Sequence, residues 1–229
     1  MLYHIYLISL PITFIVCLYA YKQLAGNFKW FLPYFAFVIV YELANFFDWL
    51  MIKHSNAWCN NLEGMIEFVL FTNFISSLDN RASYKKKVHI LVAVIILLSF
   101  IDIFFIQGFW KRATIAVVLQ SLFILVLICN YYYNLLEEAA EHMVLLKHPP
   151  FLVTTGLLFY FLSNTFYYSC FSYMVYKNNY HFYILAGSIP GISNLLLNSL
   201  LIYAFLCFSK TKRLSVMSGG YLIKNRLKE

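Results

Sequence analysis

Apolar residues in this chain run in long blocks rather than alternating with polar ones. Seven such blocks occur, at about 3–21, 30–52, 61–78, 88–107, 113–135, 150–175 and 181–207. A bilayer-crossing helix needs roughly 17 to 25 predominantly apolar residues, and each block meets that length. The pattern predicts an all-α polytopic membrane protein, a seven-transmembrane-helix bundle over residues 1–208. A short basic tail, 209–229, follows it. The third block is short and the second has polar interruptions. The seventh carries "GSIPG" at 187–191, where Pro190 removes a backbone donor and predicts a kink.

Composition agrees with the blocks. Of 229 residues, 62% are hydrophobic and 12% charged, whereas soluble domains carry roughly 25% charged residues. The net charge of +7 does not point to nucleic acid, because the basic residues cluster between apolar runs. With the N-terminus outside, thirteen of them fall on inner segments: Lys22, Lys29, Arg81, Lys85, Lys86, Lys87, Lys147 and six in the tail. Only Lys53, Lys111, Arg112 and Lys177 fall outside. That asymmetry follows the positive-inside rule and predicts a cytoplasmic C-terminus. The first block lacks a basic leader and is expected to be a retained helix rather than a signal peptide.

Polar groups inside the blocks are costly, at least ~2.5–3.5 kcal/mol for a charge at mid-bilayer, so they are expected to turn inward. Glu42 lies near the midplane of the second block. Glu42, Asn45, Asp48 and Trp49 share an arc of about 120° on a helix. Glu63 and Glu67 are one turn apart at the mouth of the third block. Asp102 and Gln107 lie toward the outer end of the fourth, and Asn164 and Asn194 near mid-depth in the sixth and seventh. These positions predict a wet cavity on the extracytoplasmic side. Glu42, Asn45, Glu67, Gln107, Asn164 and Asn194 are its candidate ligand- or proton-binding groups, and Asp48, Glu63 and Asp102 lie at its mouth. Crowded carboxylates either repel each other or attract a cation. The same side chains also fit a purely structural role as interhelical hydrogen-bond glue.

Catalytic chemistry is not indicated. HExxH, GxSxG and P-loop patterns are absent, and no catalytic residue, metal site or cofactor is expected. Glu138 and His142 in "EEAAEH" make at most half a metal site. His181 and Ser188 lack a recognisable protease motif. The last block contains no lysine for a retinal Schiff base. The five cysteines show no CxxC, and four sit inside apolar runs as small hydrophobic filler. A disulfide from Cys59 needs a partner on the same side, and Cys170 is a candidate for it. The inner segment 136–150 predicts a short amphipathic helix.

"MIEF" (65–68), "FIQGF" (105–109), "LLKHPPF" (145–151), "GLLFYFLSN" (156–164) and "ISNLLLNSLLIYAFLC" (192–207) occur in the same order as in a family of small, uncharacterised seven-helix membrane proteins of Bacteroidota. The chain resembles that family over helices three to seven, and over helix two through "YEL" (41–43). The resemblance implies matching polar positions at Glu67, Gln107, Asn164 and Asn194, with Glu42 as a further one. Glu63 and Asn198 stand where the family pattern has tyrosine. It also implies a receptor-like unit of the bacterial cytoplasmic (inner) membrane that works beside a signalling protein. Two functions are carried forward: a sensor that signals through its cytoplasmic loops and tail, and a small proton- or cation-coupled transporter.

Overall fold

The computed structural model describes residues 2–138, 144–176 and 180–226. Among them there is no β-strand, and the chain is mostly helical. Seven α-helices follow in order: α1 (Leu2–Ala20), α2 (Phe31–Phe46), α3 (Ala57–Ser77), α4 (Ala82–Ile101), α5 (Thr114–Glu138), α6 (Pro149–Tyr176) and α7 (Tyr180–Arg226). Among the described residues, four helical stretches are long and apolar enough to cross a membrane: Tyr3–Ala20, Ala82–Ile106, Thr114–Glu137 and Ala186–Ser209.

Two elements depart from the predicted blocks. The second block was expected to reach residue 52, but α2 ends at Phe46. Its sixteen residues span about 24 Å, short of the ~30 Å hydrocarbon layer. The chain then turns: Asp48 is left-handed (φ 56°), and Ile52 and Ser55 exchange two 3.0 Å backbone hydrogen bonds around Lys53 and His54. At the other end, α7 was expected to stop near residue 207 but runs to Arg226. No proline interrupts 209–226, so nothing there forbids helix, and Pro190 is accommodated inside α7 without a break.

Pro149 opens α6 at the first helical position, where its missing N–H costs nothing. A 3-10 turn, Leu145–Lys147, precedes it. The rest of the predicted amphipathic helix, including His142, lies outside the described residues, as do Lys177 and the side chains of Glu138, His181 and the basic tail. All five cysteines are free, so no Cys59–Cys170 disulfide forms.

The helices pack α1 on α2 and α7, α7 on α6, α6 on α5, and α5 on α3 and α4. At Gly156, α6 approaches α7 closely. A Cβ built there would lie 2.9 Å from Leu197 Cδ1 and 3.2 Å from the Leu197 Cα. Small residues permit such approaches where lipid offers no hydrophobic drive between helices. The core is aromatic. Phe28 meets Phe74 at 4.9 Å and Phe208 at 4.6 Å between ring centroids, and Phe71 meets Phe161 at 5.8 Å. Edge-on packing of this kind fills space while keeping ring quadrupoles attractive.

Candidate functional site

A polar chamber of about 440 Å³ lies at the end of the molecule where α1 begins, α2 ends and α3 begins. Glu42, Asn45, Glu63, Glu67, Asn164 and Asn194 all line it. They come from α2, α3, α6 and α7, so residues 152 positions apart in sequence meet in one space.

Each carboxylate has a distinct setting. Glu67 Oε2 accepts a 2.8 Å hydrogen bond from the Tyr160 hydroxyl, and its Oε1 accepts one from Tyr34. Glu42 Oε1 accepts from Tyr6 and its Oε2 from Tyr3, both at 3.2 Å. On both residues, therefore, both oxygens act as acceptors. Glu63 interacts with Glu67 one turn away, and the Arg112 guanidinium acts electrostatically on both.

Arg112 was counted in the sequence only as a loop cation. It lines the chamber and stacks over the Tyr168 ring, 5.2 Å from the centroid. Its Nε and Nη1 are buried without a hydrogen-bond partner. Among the described residues, no carboxylate lies within ion-pair distance of it. The loop is held in place by Asn61, which is buried on α3. Asn61 Nδ2 donates to the Lys111 carbonyl and Asn61 Oδ1 accepts from the Ala113 N–H, both at 3.0 Å. Those two bonds bracket Arg112 on either side.

A third network closes the chamber's rim. Tyr41 donates to Asn60 Oδ1, Asn60 Nδ2 donates to Asn56 Oδ1 at 3.2 Å, and Asn56 Nδ2 donates to Asn45 Oδ1 at 3.3 Å. Tyrosine hydroxyls run through these networks: Tyr3 and Tyr6 on Glu42, Tyr34 and Tyr160 on Glu67, and Tyr41 on Asn60. Tyr3 and Tyr6, three apart on α1, carry the one available signal: hydroxyls on one helix face opposite a half-buried glutamate.

Three predicted positions do not line the chamber. Asp48 falls beyond the end of α2, so it leaves the helical register that grouped it with Glu42. Asp102 is buried in a π-helical turn, Asp102–Ile106, and its Oδ2 accepts from the Ala116 N–H at 3.0 Å. Gln107 Oε1 accepts from the Thr114 N–H at 2.7 Å, and Gln107 Nε2 donates to Thr114 Oγ1. Both side chains thus satisfy the open N-terminus of α5, which needs acceptors for its first N–H groups.

A second polar cavity, about 450 Å³, lies at the opposite end of α3. Asp79, Arg81, Tyr84, Asn130, Tyr131 and His148 are among its lining. Arg81 and Asp79 form an ion pair at 2.6 Å, which holds the Asp79 carboxyl below the usual carboxylate range. Burial pushes the His148 imidazole down. Among the described residues no three His, Cys, Asp or Glu side chains are grouped for a metal ion. No family model matches this chain, and no curated protein or solved structure matches it either.

Proposed function

We propose that this chain is a seven-span protein of a bacterial cytoplasmic membrane, with its N-terminus outside and its C-terminus inside, acting as a receptor-like unit for a small ammonium-bearing ligand. The distribution of basic residues supports the orientation, and it turns the chamber toward the periplasm. The observation that carries the function is the charge set of the chamber. Among the described residues, Glu42, Glu63 and Glu67 face one cation, Arg112, and two of the three carboxylates accept hydrogen bonds on both oxygens. Such a site is completed by a ligand that brings positive charge. Its volume falls within the ~300–1,000 Å³ range of small-molecule pockets. Tyrosine faces around an ammonium add cation–π attraction. Binding between α2, α3, α6 and α7 shifts their packing, and the shift reaches a signalling partner through the inner loops and tail.

The test is thermal unfolding of the purified protein in lipid nanodiscs against choline, putrescine, glycine betaine and their uncharged isosteres. At least one amine is expected to raise Tm in proportion to the logarithm of its concentration, as ligand linkage requires. Glu63→Gln and Glu67→Gln are expected to weaken that response by at least tenfold in apparent Kd. Equal responses to amines and isosteres, or unchanged binding in both variants, would refute the reading. Orientation is checked with single cysteines and a membrane-impermeant maleimide. A cysteine replacing His54 is expected to label from outside, and one replacing Lys147 is not.

A further inference from the structure

We infer that the chain carries a proton path between its two polar cavities, with the Thr72 hydroxyl as the relay in the septum that separates them. This does not depend on what the outer chamber binds.

The two cavities are aligned along the same helix faces. On α3, Gly64 and Phe68 line the first cavity and Ile75 lines the second. With Thr72 between them, these residues fall within an arc of about 80° at 100° per residue. On α5, Gln120 lines the first cavity and Leu127 the second, about 20° apart around the helix. From Phe68 to Ile75, and from Gln120 to Leu127, the rise is only about 10–11 Å, a third of a hydrocarbon layer. Apolar side chains within that interval, including Phe71, Ile124 and Leu157, are each fully buried. The septum is closed to solutes, which limits the traffic to protons and the waters that carry them.

Thr72 lies within the same interval. It is 1% exposed, and its Oγ1 has no hydrogen-bond partner. A threonine in a helix normally satisfies its hydroxyl on the carbonyl four residues back. Thr13, Thr154, Thr155 and Thr165 all do so, at 2.7–2.9 Å. Thr72 does not. An unsatisfied buried hydroxyl is costly, about 1–3 kcal/mol, and marks a place where water or a transferring proton supplies the missing partner. On the far side, Tyr131 OH and His148 Nδ1, which belong to residues lining the second cavity, are likewise buried and unpartnered.

The step conserves atoms. A proton enters at the Glu63–Glu67 pair and passes through transient water to the Thr72 hydroxyl. That hydroxyl accepts one proton on its oxygen and releases its own toward the second cavity. From there the proton leaves to bulk water. The electrochemical gradient drives it, and no other co-reactant is consumed.

The test uses the full chain in liposomes loaded with a pH-sensitive dye, with a potassium gradient and valinomycin to set the membrane potential. Wild-type vesicles are expected to acidify several-fold faster than protein-free vesicles, with no amine present. Thr72→Val, nearly isosteric, is expected to return the rate to the protein-free value. Ile124→Ser, which adds a second hydroxyl to the septum, is expected to raise it above wild type. Wild-type flux equal to protein-free vesicles, or flux unchanged by Thr72→Val in protein that elutes as wild type, would overturn the inference. So would Ile124→Ser leaving the rate unchanged in equally well-folded protein. Flux is read without ligand, so a failure here is distinct from a failure of amine binding.

Discussion

Asn61 shows how one uncharged side chain sets the electrostatics of the chamber. Its amide supplies both a donor and an acceptor to the 107–113 loop, pairing the Lys111 carbonyl and the Ala113 N–H at once. With both bonds in place, Arg112 is delivered between them toward Glu63 and Glu67. Asn61→Ala removes both and leaves the Lys111 carbonyl and the Ala113 N–H without partners. The expected loss of stability is about 2–3 kcal/mol, measured as a fall in Tm in detergent. Asn61→Asp keeps the acceptor for Ala113 but loses the donor to Lys111, so an intermediate fall is expected. If the two variants melt together with wild type, Asn61 does not hold the loop. The carboxylates were legible in the sequence because a charge in an apolar block is conspicuous. Arg112 was not, because it sits in a loop where a cation needs no explanation until Asn61 is seen to pin it. Asp102 and Gln107 lie outside the chamber for a related reason: a polar residue near a helix end serves the next helix's N–H groups as readily as a cavity.

At the level of elements, the apolar blocks located every helix, but their ends were set by signals the blocks do not contain. The second block reads as apolar to residue 52, yet α2 stops at Phe46. Asp48, Lys53 and His54 all take left-handed backbone conformations, and Lys53 and His54 form the tight turn between Ile52 and Ser55. A turn with positive φ at both central residues normally announces itself as Asn-Gly, and here that cue is missing. The α6–α7 contact was equally silent, because a lone glycine in an apolar run has no periodicity. Its geometry makes a sharp test. On propensity alone Gly156→Ala stabilises a helix by about 1 kcal/mol. The new methyl, however, would sit 3.2 Å from the Leu197 Cα, a backbone atom that cannot swing away. Overpacking of this kind costs about 1–3 kcal/mol, so a net decrease in Tm is expected. A net increase would mean that α6 and α7 separate freely and that Gly156 is not their contact point.

For the whole molecule, the convergence of four helices on one chamber follows from the cost of polar groups in lipid: Glu42, Glu67, Asn164 and Asn194 have no cheaper place than a shared interior. The second cavity was not foreseen, because its polar residues, Asp79, Arg81 and His148, sit at element ends where solvent is the simpler expectation. His148 ties that cavity to stability. Burial lowers its pKa in the folded state, while in the unfolded chain it titrates near 6.5. Below that value the unfolded state binds more protons than the folded one, so stability falls as pH drops through about 6.5 and levels off once the folded imidazole is also protonated. Asp79, Arg81 and Glu137 line the same cavity. Asp79 is already held ionised by Arg81 and does not titrate in this window. Its contribution, present above its unfolded value near 3.9, is lost only as pH falls through its lower folded value. The expected outcome is a Tm that declines from pH 7.5 to 5.5, and a flatter profile for His148→Gln over the same range. A Tm that instead rises on acidification would show Glu137 or Asp79 pairing with a charged imidazole, and burial would then not be the dominant force on that side chain.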